Sequence, residues 1–157
     1  MLAQRVLLNQ TCAELNAAGN ALPGPVIEFG LGNGRTYDHL RERLAGRRII
    51  VFERVVRANH RSVPPPEDLV LGEIETTAPA FAAQSGATAA LLHADLGNGI
   101  AAADIELQGW LPDTACALVR EGGLVISSTL LPHAALKSEP LPSEVPEGRY
   151  FVYRRGA

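Results

Sequence analysis

Val26-Ile27-Glu28-Phe29-Gly30-Leu31-Gly32-Asn33-Gly34-Arg35-Thr36-Tyr37 is the stretch on which the reading of this chain turns. Two apolar β-branched residues lead to an acid, and glycines then stand at every second position. After them Tyr37, Leu40 and Leu44 recur at i, i+3 and i+7, with Asp38, Arg41, Glu42 and Arg43 between. The first part reads as a short strand and the last as an amphipathic helix. A strand that feeds a glycine loop that feeds a helix is how α/β folds build a nucleotide-type site. Glycine reaches backbone angles that side chains forbid and lets a ligand lie against the main chain. The helix start adds N–H groups and a partial positive charge suited to a carboxylate or phosphate.

The spacing selects among nucleotide loops. A dinucleotide fingerprint needs Gly-x-Gly-x-x-Gly, and Arg35 stands where its third glycine belongs. A phosphate loop needs Gly-x-x-x-x-Gly-Lys followed by Ser or Thr, and the chain has no such string. What stands here is acidic-x-Gly-x-Gly-x-Gly.

Working outward, the 157 residues suit one domain with a proper core, divided as an N-terminal helix (1–22) and an α/β core (23–157). Hydrophobic residues at 46% and charged residues at 20% are ordinary for a soluble globular protein. The net charge of −3 gives no global attraction to nucleic acid or acidic membranes. Eight arginines (35, 41, 43, 47, 48, 54, 57 and 61) nevertheless fall in one short segment, which reads as a solvated face partly neutralised by Asp38, Glu42 and Glu53. Cys12 and Cys116 have no Cys-x-x-Cys spacing and read as small buried thiols. With no leader-like start and no apolar run of membrane-spanning length, a cytoplasmic protein is the default expectation.

In chain order, residues 2–19 read as a helix carrying Leu8, Cys12 and Leu15 on one stripe. The second helix stops near Gly46. Ile49-Ile50-Val51-Phe52 is then a continuous apolar run, the mark of a central parallel strand buried on both faces, and it ends in Glu53. In doubly wound folds an acid at the end of the second strand accepts from ribose hydroxyls. Leu69-Val70-Leu71 reads as a third strand, followed by Gly72-Glu73-Ile74 and a helix over 76–85. Ala89-Ala90-Leu91-Leu92 reads as a fourth strand ending in His93-Ala94-Asp95, at the point where strand order reverses and ligands bind. The spacing predicts helix over 101–121, in two pieces because Pro112 suits a first turn, stopped by Gly122-Gly123. Leu124-Val125-Ile126 is the fifth strand. The proline-punctuated tail ending in Tyr150-Phe151-Val152-Tyr153 reads as two short strands, the last antiparallel to its neighbours and closing the sheet edge.

With these pieces assembled, the chain resembles a small bacterial class I S-adenosylmethionine-dependent methyltransferase of compact type. Glu-Phe-Gly-Leu-Gly-Asn-Gly-Arg-Thr-Tyr (28–37), Val-Phe-Glu-Arg (51–54), Leu-Gly-Glu-Ile (71–74), His-Ala-Asp-Leu (93–96) and Gly-Gly-Leu-Val-Ile-Ser-Ser (122–128) carry the resemblance; the first helix lies outside it. It implies a doubly wound, Rossmann-like α/β sandwich: a mostly parallel seven-stranded sheet with an antiparallel last strand and helices on both faces. It also implies S-adenosylmethionine as donor. Gly30, Leu31, Gly32 and Asn33 would follow its methionine part, and the helix start at Gly34, Arg35 and Thr36 would meet its carboxylate. Glu28 and Asp95 would hold its amine, Glu53 with Arg54 the ribose end, and Glu73 and Ile74 the adenine. His93, with Asp95, is the candidate general base.

Ser127-Ser128 stand where metal-dependent relatives place ligands, so no metal is expected. The expected acceptor is a small molecule. An RNA or protein acceptor met by the Arg-rich segment, and a non-catalytic donor-binding scaffold, are the alternatives. Acceptor recognition falls to the first helix, the loops near 55–67 and 96–100, the tail, or a partner subunit. Leu2, Val6 and Leu7, and the tail edge, suggest a homodimer.

Overall fold

The computed structural model describes residues 2–157. Seven strands form one sheet: β1 Val26–Phe29, β2 Ile49–Glu53, β3 Leu69–Leu71, β4 Ala89–Ala94, β5 Val119–Ser127, β6 Leu136–Ser138 and β7 Phe151–Arg155, in the order β3-β2-β1-β4-β5-β7-β6. The first five are parallel, and β7 runs antiparallel to both β5 and β6. From β1 the chain steps outward through β2 and β3, then returns to the other side of β1 with β4. This reversal splays the loops after β1 and β4 apart and opens a crevice there.

Each strand residue faces one of two cores, by the alternation of the pleat. Val26, Val51, Leu91 and Ile126 pack under α1 (Leu2–Ala18) and α2 (Arg35–Arg43). Ile27, Phe29, Phe52, Leu92 and Val125 pack under α3 (Ile74–Ser85) and α5 (Leu111–Leu118). Phe52 meets Phe29 and Phe81 edge-on at 5.3 and 5.4 Å, and burying an aromatic ring of this size stabilises the fold by about 1.5–3 kcal/mol. α4 (Ala101–Gln108) has no buried residue and lies at the periphery.

Three readings need correction. The helix expected over 101–121 ends at Leu118, and β5 already begins at Val119. Gly122-Gly123 therefore sits inside the strand. The ladder pairs Ala89 with Val119 but Leu91 with Leu124, so β5 bulges there. A Cβ on Gly123 would lie 3.1 Å from the Ala89 carbonyl, which is why glycine tolerates so close an approach of backbone to backbone.

Secondly, the first helix buries a wider stripe than expected: Ala3, Leu7, Leu8, Thr11, Cys12 and Leu15. Leu7 is 2% exposed and Val6 packs on the core, so neither is the surface residue expected; Leu2 is, at 76%. Thirdly, β7 does not close the sheet. Its Val152 and Tyr153 enter the two opposite cores, as an interior strand must, whereas β6 exposes Lys137 and Ser138 and forms the edge.

Candidate active site

The register of the central strands brings the chemistry together. Glu28 on β1 pairs with His93 on β4, and Glu53 and Asp95 share their face at the strand ends. The structure extends β4 to Ala94, so His93 belongs to the strand and Asp95 is the first residue beyond it. A cleft of about 450 Å³ opens there. Its walls are Glu28, the loop from Gly30 to Asn33, Arg35 and Thr36 at the start of α2, Glu53, His93 and Asp95, with Gln4 reaching in from α1.

Glu28 and His93 form the floor, each side chain 2% exposed, with His93 Nδ1 3.8 Å from Glu28 Oε1. That is too long for a hydrogen bond. Glu28 Oε2 and His93 Nδ1 have no partner, an arrangement that costs free energy unless something else satisfies it. Burial pushes the Glu28 carboxyl above its usual range, against the counter-pull of His93. On the other side of the ring, Gln4 Nε2 lies 3.4 Å from His93 Nε2 and donates to Asp95 Oδ2 at 2.8 Å. With Gln4 donating to Nε2, the proton of a neutral ring sits on Nδ1, toward Glu28. Tyr150 donates to the same Asp95 oxygen at 3.4 Å, and burial together with Asp95 pushes its phenol up to about 12.

Glu53 holds the glycine loop. Its Oε2 accepts from the backbone N–H of Leu31 at 2.7 Å and Gly32 at 3.1 Å, and its Oε1 from Arg54 N–H at 2.7 Å. Burial raises this carboxyl, but the backbone N–H groups of Gly32, Arg54, Leu31 and Val55 together outweigh it and the net shift is downward. The loop needs its glycines for two different reasons. Gly32 has φ +53° and nothing within 4 Å of where a Cβ would stand, so its bare backbone faces open cleft. Gly34 has φ +84°, and a Cβ there would lie 2.5 Å from Ser62 Cβ, so it is pressed into the neighbouring loop and off the cleft wall. Asn33 Oδ1 accepts from Arg35 N–H at 3.1 Å, which leaves the following first-turn N–H groups of α2 for a ligand.

Of the other expected contacts, Arg54 borders an adjoining hollow with Gly32, Asn33 and Glu53. Glu73 is exposed, 3.9 Å from Arg54, and Ile74 packs against the α3–α5 core; neither lines the cleft. Gln4 and Tyr150 were not among the expected site residues. They lie 91 and 55 positions from Asp95, outside every motif, and only the general role given to the first helix and tail pointed their way.

Much of the Arg-rich segment is engaged within the chain. Arg41 pairs with Asp38 at 2.6 Å, Arg48 with Asp68 at 2.5 Å and Arg54 with Glu73, while Arg47 donates to the carbonyls of Gly24, Leu15 and Gly19. Among the described residues no three His, Cys, Asp or Glu side chains gather as a ligand set, and no helix is long and apolar enough to cross a membrane.

Comparison with known proteins places this geometry in context. Residues 1–155 match the sequence family described as S-adenosyl-L-methionine methyltransferase. Among solved structures the chain is similar to an S-adenosyl-L-methionine methyl transferase from Silicibacter pomeroyi DSS-3, with 42% identity, a TM-score of 0.89, and 99% of this chain and 93% of that one covered. Human methyltransferase-like protein 13, solved with S-adenosylhomocysteine, shares the fold at 11% identity and a TM-score of 0.64, covering 99% of this chain and 82% of that one. So does the antibiotic-resistance methyltransferase Kmr, at 13% and 0.60, covering 94% and 93%. No curated protein matches.

Proposed function

The chain belongs to the S-adenosyl-L-methionine methyltransferase family, and from that premise we propose that it methylates a small molecule bound beside Gln4, His93 and Asp95. The donor, when bound, supplies a methyl group that its sulfonium makes electrophilic, so the protein has mainly to hold donor and acceptor in line. The cleft suits that donor. Glu28 Oε2, buried without a partner, would be satisfied by a cationic amine, and the open backbone at Gly32 leaves room for a chain lying along the loop. Thr36 and the first-turn N–H groups of α2 would meet a carboxylate. Glu53 has lone pairs beyond those given to the loop and would accept from ribose hydroxyls. His93 Nε2, on the cleft side of the ring, would take a proton from an acceptor that must lose one. Asp95 is oriented for its part by Gln4 and Tyr150.

The observation that carries the small-molecule reading is the engagement of the arginines. Arg41, Arg47 and Arg48 spend their guanidiniums on the chain's own carboxylates and carbonyls, leaving a poor continuous phosphate-binding face. The test is S-adenosylhomocysteine production across a library of small nucleophiles. RNA affinity that falls steeply with salt would instead favour the nucleic-acid acceptor. Donor binding without turnover on any acceptor would favour the scaffold. We further propose a cytoplasmic homodimer that shelters Leu2 or the β6 edge; light scattering that gives the mass of one chain with donor bound would overturn the dimer.

A further inference from the structure

A second chamber, of about 390 Å³, lies between α1 and α2. Leu2 and Leu8 give it an apolar wall, and Arg5 and His39 a polar one. It shares Gln4, Arg35 and Thr36 with the donor cleft, so the two spaces meet, and Gln4 stands at the junction with its amide 3.4 Å from His93 Nε2. The volume falls within the range of small-molecule pockets.

The chamber has a defined charge. Arg5 Nη1 lies 3.2 Å from His39 Nδ1, and His39 Nε2 lies 2.8 Å from Asn9 Oδ1. The guanidinium has no lone pair to accept with, so it donates to Nδ1, and the His39 proton goes to Nε2 and Asn9. The ring is therefore neutral, consistent with burial and the guanidiniums of Arg5 and Arg43 holding its pKa below the usual range. Two cations line the chamber: Arg35, which it shares with the donor cleft, and Arg5, which belongs to the chamber alone, is aimed by a buried imidazole and, among the described residues, has no carboxylate within ion-pair distance. An apolar wall, the oriented cation of Arg5 and a boundary at Gln4 shared with the cleft that holds His93 define a ligand with three matching parts.

We propose that this chamber is the acceptor subsite and that the acceptor is a small amphipathic acid. Its aromatic or branched aliphatic body rests on Leu2 and Leu8, its carboxylate is met by Arg5, and its hydroxyl or amine passes Gln4 to His93. The acceptor's lone pair then forms the new bond to the methyl carbon while the carbon–sulfur bond breaks and its electron pair stays on sulfur. The heteroatom's proton goes to His93 Nε2. The inference rests on the methyl-transfer reading above, but binding in the chamber can be observed without turnover.

The test uses the full chain with methyl-labelled leucine, followed by NMR at saturating S-adenosylhomocysteine. Three acids (benzoate, 4-hydroxybenzoate and 2-hydroxyisocaproate) are compared with their uncharged counterparts benzyl alcohol, phenol and 3-methylbutan-1-ol. At least one acid is expected to shift the Leu8 methyls, and to bind at least tenfold more tightly than its uncharged counterpart, about 1.4 kcal/mol. Arg5→Gln should remove that preference while leaving S-adenosylhomocysteine affinity unchanged, and Arg5→Lys should keep most of it. Three results would overturn the proposal: no acid bound at roughly 10 mM, acids and neutral compounds bound equally, or S-adenosylhomocysteine alone shifting Leu8 and displacing the acids, which would make the chamber part of the donor site. Failure of the methyl-transfer reading would look different, as S-adenosylhomocysteine not binding at all.

Discussion

At the end of the sheet where β1 and β2 begin, a hollow of about 640 Å³ lies between the end of α1, the loop before β1 and the turn before β2. The cleft at the opposite end is smaller, about 450 Å³. What separates them is the state of their polar groups. In the larger hollow, Arg47 donates to the carbonyls of Gly24, Leu15 and Gly19 at 3.0–3.3 Å, tying α1 to the loop. Beneath it the backbone is packed so closely that a Cβ on Gly24 would come within 2.0 Å of the Thr88 carbonyl. In the smaller cleft, Glu28 Oε2 and His93 Nδ1 are buried with nothing to satisfy them. One end has its polar groups answered by the protein and serves stability. The other leaves two of them unanswered and bears a cost in the free protein.

Exchanging groups at each end tests that division. The largest effect is expected from Arg47→Met, which keeps the aliphatic stem and removes the charged hydrogen bonds. It should lower unfolding free energy by about 1.5–3 kcal/mol in denaturant titration and leave S-adenosylhomocysteine affinity unchanged. A loss of affinity would break the division. Glu53→Ala should act on the other end, weakening S-adenosylhomocysteine binding by about 1–3 kcal/mol in calorimetry, since the loop's anchor and the proposed ribose acceptor both go. If the folded variant binds as tightly as the parent, the ribose role falls.

Glu28→Gln sharpens the comparison because its two effects should have opposite signs. The native Glu28 carboxyl is raised above its unfolded value, so its contribution is favourable below the ordinary carboxylate range and is lost as pH rises through the native value. At pH 8 the variant should therefore be the more stable by on the order of 1 kcal/mol, a few degrees in thermal midpoint. The advantage should vanish at acid pH, while donor affinity falls about tenfold. Glu53→Gln should show the reverse pH trend: its native value is depressed, so the parent's advantage exists at neutral pH and fades as pH falls through that value. The smallest effect is expected from Glu73→Ala, whose carboxylate is 68% exposed and off the cleft wall: under about 0.5 kcal/mol on donor binding by the same calorimetry.

The central strands were legible because burial on both faces forces continuous apolar runs such as Ile49 to Phe52, and the glycine loop because its φ values admit little else. The end of α5 was misread because Val119 to Glu121 suits helix and strand alike, and only the neighbouring Ala89 decides between them. Glu28, Glu53, His93 and Asp95 could be placed from strand ends, since register follows from topology. Gln4, Tyr150 and the chamber could not, because they depend on how α1 and the tail lie across the sheet, which no local pattern encodes. Gly34 looked like its neighbours in the motif, yet its reason is Ser62, a contact invisible along the chain.

The position of β7 between β5 and β6 has a consequence for the order in which the molecule can be made. A chain synthesised from its N-terminus completes β5 and then β6, but β6 has no sheet neighbour other than β7, which comes later. Until Phe151 to Arg155 are available, β5 presents an open edge ending in Val125, Ile126 and Ser127, and the proposed donor cleft lacks Tyr150 on Asp95. Sheet closure and the finishing of the site are then a single late event. A nascent chain halted before β7 holds the glycine loop and every central strand, yet offers other chains a template for strand pairing and does not carry the finished site.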